Sequence, residues 1–327
     1  MKTIVGYREM KAGISMGKIT TLMDLIRNNP GEIGRAIDGN LKNRKFMRYV
    51  PDRMYLKMRY GLCVHRRLNL KNPAGFNEKL QWLKLYYRDP EYEMLVDKLA
   101  VKEYVSEHYP ELKVIPTIGV WERPEDIDFD VLPDQFVIKC THDTGSTIIC
   151  KDRSRFEAET ARTALRQALE NNMFYPGREW VYKNVHPRII AEPFFQDDDS
   201  DELKDYKFMC FNGEVKCSFV CSDRFSHEGL HVTFFDKEWN IMPFTRHYPM
   251  KKEGIPKPAC YDQMICLAER MSKDMPFVRI DLYEINHTVY FGEYTFFPGS
   301  GLEEFDPEEW DVTIGDWIKL PKRNSEK

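Results

Sequence analysis

The chain has 327 residues and a mass of 38.8 kDa, with 42% hydrophobic, 13% aromatic and 31% charged residues, which excludes a disordered chain and suits one large domain or two. A formal charge of −4 supplies no global field toward nucleic acid, and no nucleic-acid partner is expected. The balance hides an asymmetry, because residues 1–80 carry 17 Lys and Arg against 6 Asp and Glu, a net of +11 that leaves −15 for residues 81–327.

In chain order, residues 20–60 read as short basic helices, with ITTLMDLIRNN and PDRMYLKMRYGL carrying apolar residues at three-to-four spacing. NPAGFNEKLQWLKLYYRDP predicts a helix capped by Asn77, with Phe76, Leu80, Leu83 and Tyr87 as its apolar stripe. EYEMLVDKLAVKEYVSEHY predicts one helix that ends before Pro110. LKVIPTIGVWE, DQFVIKC and RIIAEPFF predict short strands, and residues 154–172 a helix. DYKFMCFNGEVKCSFVCSDR predicts a hairpin turning at Asn212 and Gly213, and HVTFFDKEWNIMPF a second one turning near Asp236–Asn240. CYDQMICLAERMSKDM predicts an amphipathic helix, and PFVRIDLYEINHTVYFGEYTFFPG a last hairpin. The fold class is α+β, with antiparallel sheets and packed helices. It divides into a basic helical region over residues 1–75 and a catalytic region over 76–327. No GxGxxG opens a helix, which argues against a dinucleotide domain.

No apolar run nears the ~20 residues of a membrane helix, and the charged opening MKTIVGYREMKAGISMGK lacks a signal-peptide core. The expected location is the cytosol. The basic region makes an anionic membrane surface or polyanion a candidate neighbour, so a peripheral position at the inner face of the cell membrane is the further expectation. The eight cysteines include no CxxC pair. Cys210, Cys217 and Cys221 read as buried strand thiols; a zinc site there would need His227 or His231 as well.

Four clusters place charge on strands. Arg279 and Asp281 share one face of VRIDLY, and Glu293 and Thr295 one face of FGEYTF. If the two strands pair, the carboxylates converge and require a cation, for which magnesium with a phosphate-bearing substrate suits an all-oxygen donor set. Taken alone, the same residues also suit a solvated sheet face. Lys139 ends the apolar strand DQFVIKC just before THDTGS, where it can meet phosphate oxygens or simply reach solvent. Glu192 stands in IIAEPFF before the polar linker QDDDSDELKD, and Asp205 and Lys207 share a face of DYKFMCF.

The succession Lys98, Lys139 with its small-residue loop, Glu192, Asp205 and Lys207, then Arg279-x-Asp281 and Glu293-x-Thr295-x-x-Pro298-Gly299, resembles the ATP-grasp superfamily. Within it, FNEKLQWLKLYYRDPEYEMLVDKLAVKEYV, FVIKCTHDTGS, DYKFMCFNGEVK and the closing hairpin are similar to the TupA-like group, associated with bacterial cell-surface polysaccharide and teichuronopeptide synthesis. The resemblance spans roughly residues 50–322. It implies two α+β lobes clasping ATP, with Mg²⁺ as the metal. By the same resemblance Lys98 and Lys139 contact phosphates, Glu192 and Asp205 hold adenine and ribose, Lys207 and Arg279 steady the transferring group, and Asp281, Glu293 and Thr295 bind the metal. Thr295 replaces the family's asparagine, and THDTGS is less Gly-rich than the corresponding loop of biotin carboxylase. The implied activity is carboxylate–amine ligation through an acyl-phosphate, on a small-molecule carboxylate and amine or a surface-polysaccharide precursor. Two rival readings are a glycosyltransferase, with DDDSD at 197–201 as its metal motif, and a catalytically silent binding protein.

Overall fold

The computed structural model describes residues 30–196, 204–223 and 229–322, and the chain forms two compact units divided between Arg67 and Leu68. The predicted helix ITTLMDLIRNN lies outside the described residues, as does the run DDDSD.

The first unit contains helices α1 (Pro30–Leu41) and α2 (Asp52–Cys63), with a 3₁₀ turn over Lys45–Tyr49 between them. Arg59 donates from Nε and Nη2 to the two oxygens of Asp38 at 2.5 and 2.6 Å, and both residues are buried. A Cβ on Gly34 would stand 2.0 Å from the Leu62 carbonyl oxygen, so glycine permits the helices to approach this closely.

The second unit opens with α3 (Phe76–Tyr86), α4 (Glu91–Val96), α5 (Ala100–His108), β1 (Lys113–Val114), β2 (Gly119–Trp121), β3 (Phe136–Cys140) and β4 (Ile148–Cys150). It continues with α6 (Ala158–Leu169), β5 (Ile189–Pro193), β6 (Asp205–Phe211), β7 (Glu214–Ser222), β8 (His231–Phe235) and β9 (Thr245–Arg246). Last come α7 (Tyr261–Met271), β10 (Phe277–Ile285), β11 (Thr288–Thr295), β12 (Phe305–Asp306) and α8 (Glu309–Trp317).

Three predicted elements change. Asn77 is not a cap: it lies inside α3, and its backbone N–H is taken at 2.9 Å by Asp311 Oδ1, a side chain borrowed from α8. The single helix expected over 91–109 breaks at Asp97. Its Oδ1 accepts from the Leu99 N–H at 2.9 Å, capping the next helix, while Oδ2 accepts from Arg188 at 2.7 Å. The second strand of the 231–244 hairpin shrinks to a bridge between Phe235 and Ile241, because Pro243 has no N–H to extend the ladder.

A four-stranded sheet runs β2-β5-β3-β4 and a six-stranded sheet β1-β11-β10-β6-β7-β8, with β9 and β12 pairing separately. Period-two alternation sorts each sheet. In β3, Phe136, Ile138 and Cys140 turn to a core shared with Ala161, Leu165 and Ala168 of α6, which leaves Val137 and Lys139 on the opposite face. In the larger sheet Phe208 packs on Tyr261 of α7 at 5.6 Å, and Cys210 Sγ reaches the Ala268 carbonyl at 3.7 Å. The other face of β6 and β10 therefore carries Asp205, Lys207, Arg279 and Asp281. No described helix is long and apolar enough to cross a membrane.

Candidate functional site

The larger sheet assembles its charges by register. Asp281 pairs with Lys207 of β6 on one side and with Glu293 of β11 on the other, and Arg279 pairs with Thr295. Directly opposed residues of an antiparallel pair share a face, so the five side chains gather on it.

That arrangement depends on a bulge. Asn286 and His287, both with positive φ, make a two-residue turn that sets Ile285 against Thr288. Counted straight up the ladder, this turn would set Asp281 against Gly292 and send Glu293 into the core face. Instead the register slips between Asp281 and Leu282: Leu282 opposes Phe291, Asp281 opposes Glu293, and Gly292 is the extra residue. A Cβ on Gly292 would lie 2.7 Å from the Asp281 carbonyl oxygen, so the tight bulge requires glycine.

Arg279 donates Nε to Asp281 Oδ1 at 2.6 Å and Nη2 to Asp281 Oδ2 at 2.7 Å, and the same Nη2 reaches Glu293 Oε1 and the Thr295 hydroxyl at 2.9 Å each. Thr295 in turn donates to Glu293 Oε1 at 2.9 Å. Lys207 donates to both Asp205 and Asp281. Burial pushes Asp281 up to about 6 against Arg279 and Lys207, whereas Glu293 is held at about 2, because Arg279, Lys207 and Lys98 outweigh the cost of burial. Two neighbouring carboxylates are thus driven apart in acidity.

The smaller sheet carries the opposite balance. Glu192 Oε2 accepts from Lys139 at 2.6 Å and Oε1 accepts from Lys102, which also donates to the Thr117 hydroxyl at 2.9 Å. Lys98, at the break between α4 and α5, donates to the Asp143 carbonyl. Burial lowers the pKa of Lys98 and of Lys102, opposed by Glu293 and Glu192 respectively. Glu192 is lowered: burial raises it, but Lys139 and Lys102 prevail.

Both clusters border one cavity of about 690 Å³, lined among others by Lys98, Lys102, Lys139, Glu192, Asp205 and Glu293. Lys207, Arg279, Asp281 and Thr295 are outside its lining; Lys207 donates to Asp205, Arg279 and Thr295 donate to Glu293, and Asp281 ties Lys207 to Arg279. THDTGS divides in two: Thr141, His142 and Asp143 are buried, while Thr144 and Gly145 are exposed; none of its residues lines the cavity, which Thr147, the next residue, does. Sequence reasoning missed Lys102, although its four-residue offset from Lys98 was a usable sign that both could point one way. It also passed over Lys151, Phe194 and Phe195, which border the cavity too. Cys210 and Cys217 are buried strand thiols, as expected, whereas Cys221, also on a strand, is only half-buried; burial pushes Cys210 up to about 12, and no His/Cys/Asp/Glu metal cluster occurs among the described residues.

Two sheets, antiparallel except where β1 runs parallel to β11 at the edge of the larger one, border one charged cavity, and this is the fold of an ATP-grasp protein. The TupA-like ATP-grasp family model matches residues 78–319, and the chain belongs to that family. Among solved structures it is similar to D-alanine–D-alanine ligase from Helicobacter pylori, at 14% identity over 76% of this chain and 70% of that one, with a TM-score of 0.42. It is also similar to the Bacillus anthracis enzyme complexed with ATP, at 13% identity over 75% and 68%, with a TM-score of 0.40. A RimK domain ATP-grasp protein from Sphaerobacter thermophilus follows, at 12% identity over 71% and 70%, with a TM-score of 0.38. No curated protein matches the chain.

Proposed function

We propose that the protein is an ATP-dependent carboxylate–amine ligase. The observation that carries this reading is a single cavity lined by Lys98, Lys102 and Lys139 together with Asp205 and Glu293. The lysines suit a polyphosphate, and the carboxylates suit the cation that accompanies it.

The donor set fits Mg²⁺. Glu293 Oε2 has no hydrogen-bond partner among the described residues, and Asp205 Oδ1 is a buried acceptor without one. One or two carboxylates are enough for Mg²⁺, which fills its remaining positions with water and phosphate oxygens. Glu293 would hold the ion through Oε2, and Asp281 and the Thr295 hydroxyl, which lie outside the cavity lining, would join only by releasing Arg279 and Lys207; the ion when bound neutralises phosphate charge. The chain's own residues do the rest. Lys98 and Lys139 bind phosphate oxygens, Lys102 and Lys139 orient Glu192 toward the base, and Asp205 faces the sugar. Arg279 and Lys207 fix the acidic wall and offset charge on the transferring phosphoryl group.

In this chemistry a substrate carboxylate oxygen attacks the γ-phosphorus and the bond to ADP breaks. An amine then attacks the acyl-phosphate carbon, phosphate leaves, and the nitrogen loses a proton to give an amide. We assign the substrates to surface-polysaccharide assembly, on the support of the family resemblance. The test is release of ADP and phosphate by purified protein with Mg²⁺, a panel of acids and a panel of amines, alongside UDP release from nucleotide-sugars. Amine-dependent ADP formation supports the ligase; UDP release with no ADP formation overturns it.

A further inference from the structure

The first unit presents a surface that the proposed ligase chemistry does not use. Arg44, Lys45, Arg48, Arg53 and Lys57 are all exposed, and the only acid in the same stretch, Asp52, is half-buried. Arg59, which the sequence alone groups with these cations, is spent inward on Asp38. The same stretch exposes three large apolar side chains: Phe46 at 60%, Tyr49 at 88% and Met54 at 64%. In α2 the exposed positions are Arg53, Met54, Lys57 and Gly61, which recur at helical spacing, while Tyr55, Leu56, Tyr60 and Cys63 turn inward. In the 3₁₀ turn Met47 alone is buried.

Cations by themselves would suit any polyanion. Apolar side chains set among them do not, because a soluble acidic polymer would neutralise the cations and leave the rings in water. A lipid surface satisfies both, with headgroup phosphates for the basic side chains and the acyl boundary for the apolar ones. We infer that residues 44–57 dock the first unit on an anionic bilayer surface, the segment lying in the interface rather than crossing it. The inference is independent of the ATP site and stands or falls without it.

The test uses the full-length chain and vesicles of phosphatidylcholine with or without phosphatidylglycerol. Co-sedimentation is expected only with phosphatidylglycerol, and it should fall steeply as salt shortens the Debye length. K45Q/R53Q/K57Q should weaken binding on the order of 100-fold, given the contribution of each cation near an anionic surface. F46S/Y49S/M54S should weaken it roughly tenfold or more through lost apolar burial. Y49W, a single exposed change, should shift its fluorescence to the blue with anionic vesicles and not with a soluble acidic polysaccharide. No binding to phosphatidylglycerol vesicles at low salt overturns the inference. Equal binding to alginate together with an unchanged F46S/Y49S/M54S variant assigns the surface to a polyanion instead and equally overturns it.

Discussion

The two walls of the cavity carry opposite surpluses. Beside the smaller sheet, Lys139 of β3 and Lys102 of α5 share the carboxylate of Glu192, and Lys98 adds a third cation that donates to the Asp143 carbonyl. On the larger sheet three carboxylates, Asp205, Asp281 and Glu293, share Lys207 and Arg279. Neither wall is neutral by itself, and in a partly desolvated site that imbalance costs free energy. A site selected for stability alone would have matched its charges. The unmatched charges suit the proposed ligand, a nucleotide polyphosphate with its cation.

The sharpest way to break that contrast is at the acidic wall. Glu293→Gln should lower ATP turnover by about 100- to 1,000-fold, with some loss of melting temperature because the cations that hold Glu293 at about 2 lose its charge. Asp281→Asn should match it, because its buried carboxylate aligns Arg279. A near-normal rate in either folded variant would remove these residues from the metal assignment. Gly292→Ala attacks the same wall through its backbone. A Cβ 2.7 Å from the Asp281 oxygen must open the bulge, at about 1–3 kcal/mol of stability, and swing Glu293 away. Turnover should fall by about 100-fold, in keeping with a misplacement of about 1 Å, and unchanged turnover would show that the bulge does not aim the carboxylate.

The basic wall is tested by affinity. Lys139→Ala should weaken nucleotide binding by about 10- to 100-fold in titration calorimetry with Mg²⁺, and Lys204→Ala, beyond the cavity lining, should leave it unchanged. Equal affinities would mean that the strand-end lysine is ordinary. The smallest effect concerns acid stability. Lys139 and Lys102 hold Glu192 below its ordinary value of 4.5 against the opposing pull of burial, so its contribution is complete above pH 4.5 and is lost as pH falls through the depressed folded value. Glu192→Gln should therefore flatten the acid limb of stability against pH, measured as melting temperature; an unchanged limb would mean that the pairing contributes nothing.

Much of this was legible in the sequence, and the exceptions have one cause. The hairpin at Asn212 and Gly213, the strand ending in Lys139 and the amphipathic helix over 261–271 all follow from local chemistry: turn residues, alternation and helical spacing. The convergence of Asp281 and Glu293 was anticipated from a simple hairpin, yet that hairpin would have faced Glu293 the wrong way. Gly292 inside a strand was the available sign of a bulge. The break at Asp97 and the capping of α3 by Asp311 rest on partners far along the chain, as does the burial of Arg59 by Asp38. No local pattern encodes those partners. Charge composition exposed the basic first unit, but only tertiary structure could show which cations were spent inward.

The Asp311 contact also orders events during synthesis. In the helix that begins at Phe76, the Asn77 N–H donates to a carboxylate 234 residues later, and Lys79 donates to the carbonyls of Gly315 and Ile318 at 2.8 and 3.0 Å. At translation rates of about 5–20 residues per second, that partner emerges roughly 10–50 s after the helix it completes. Phe76, which ends packed against Phe277 at 5.0 Å and Phe305 at 6.0 Å, has neither ring to meet during most of that interval. The second unit thus starts with a helix whose packing partners are made last.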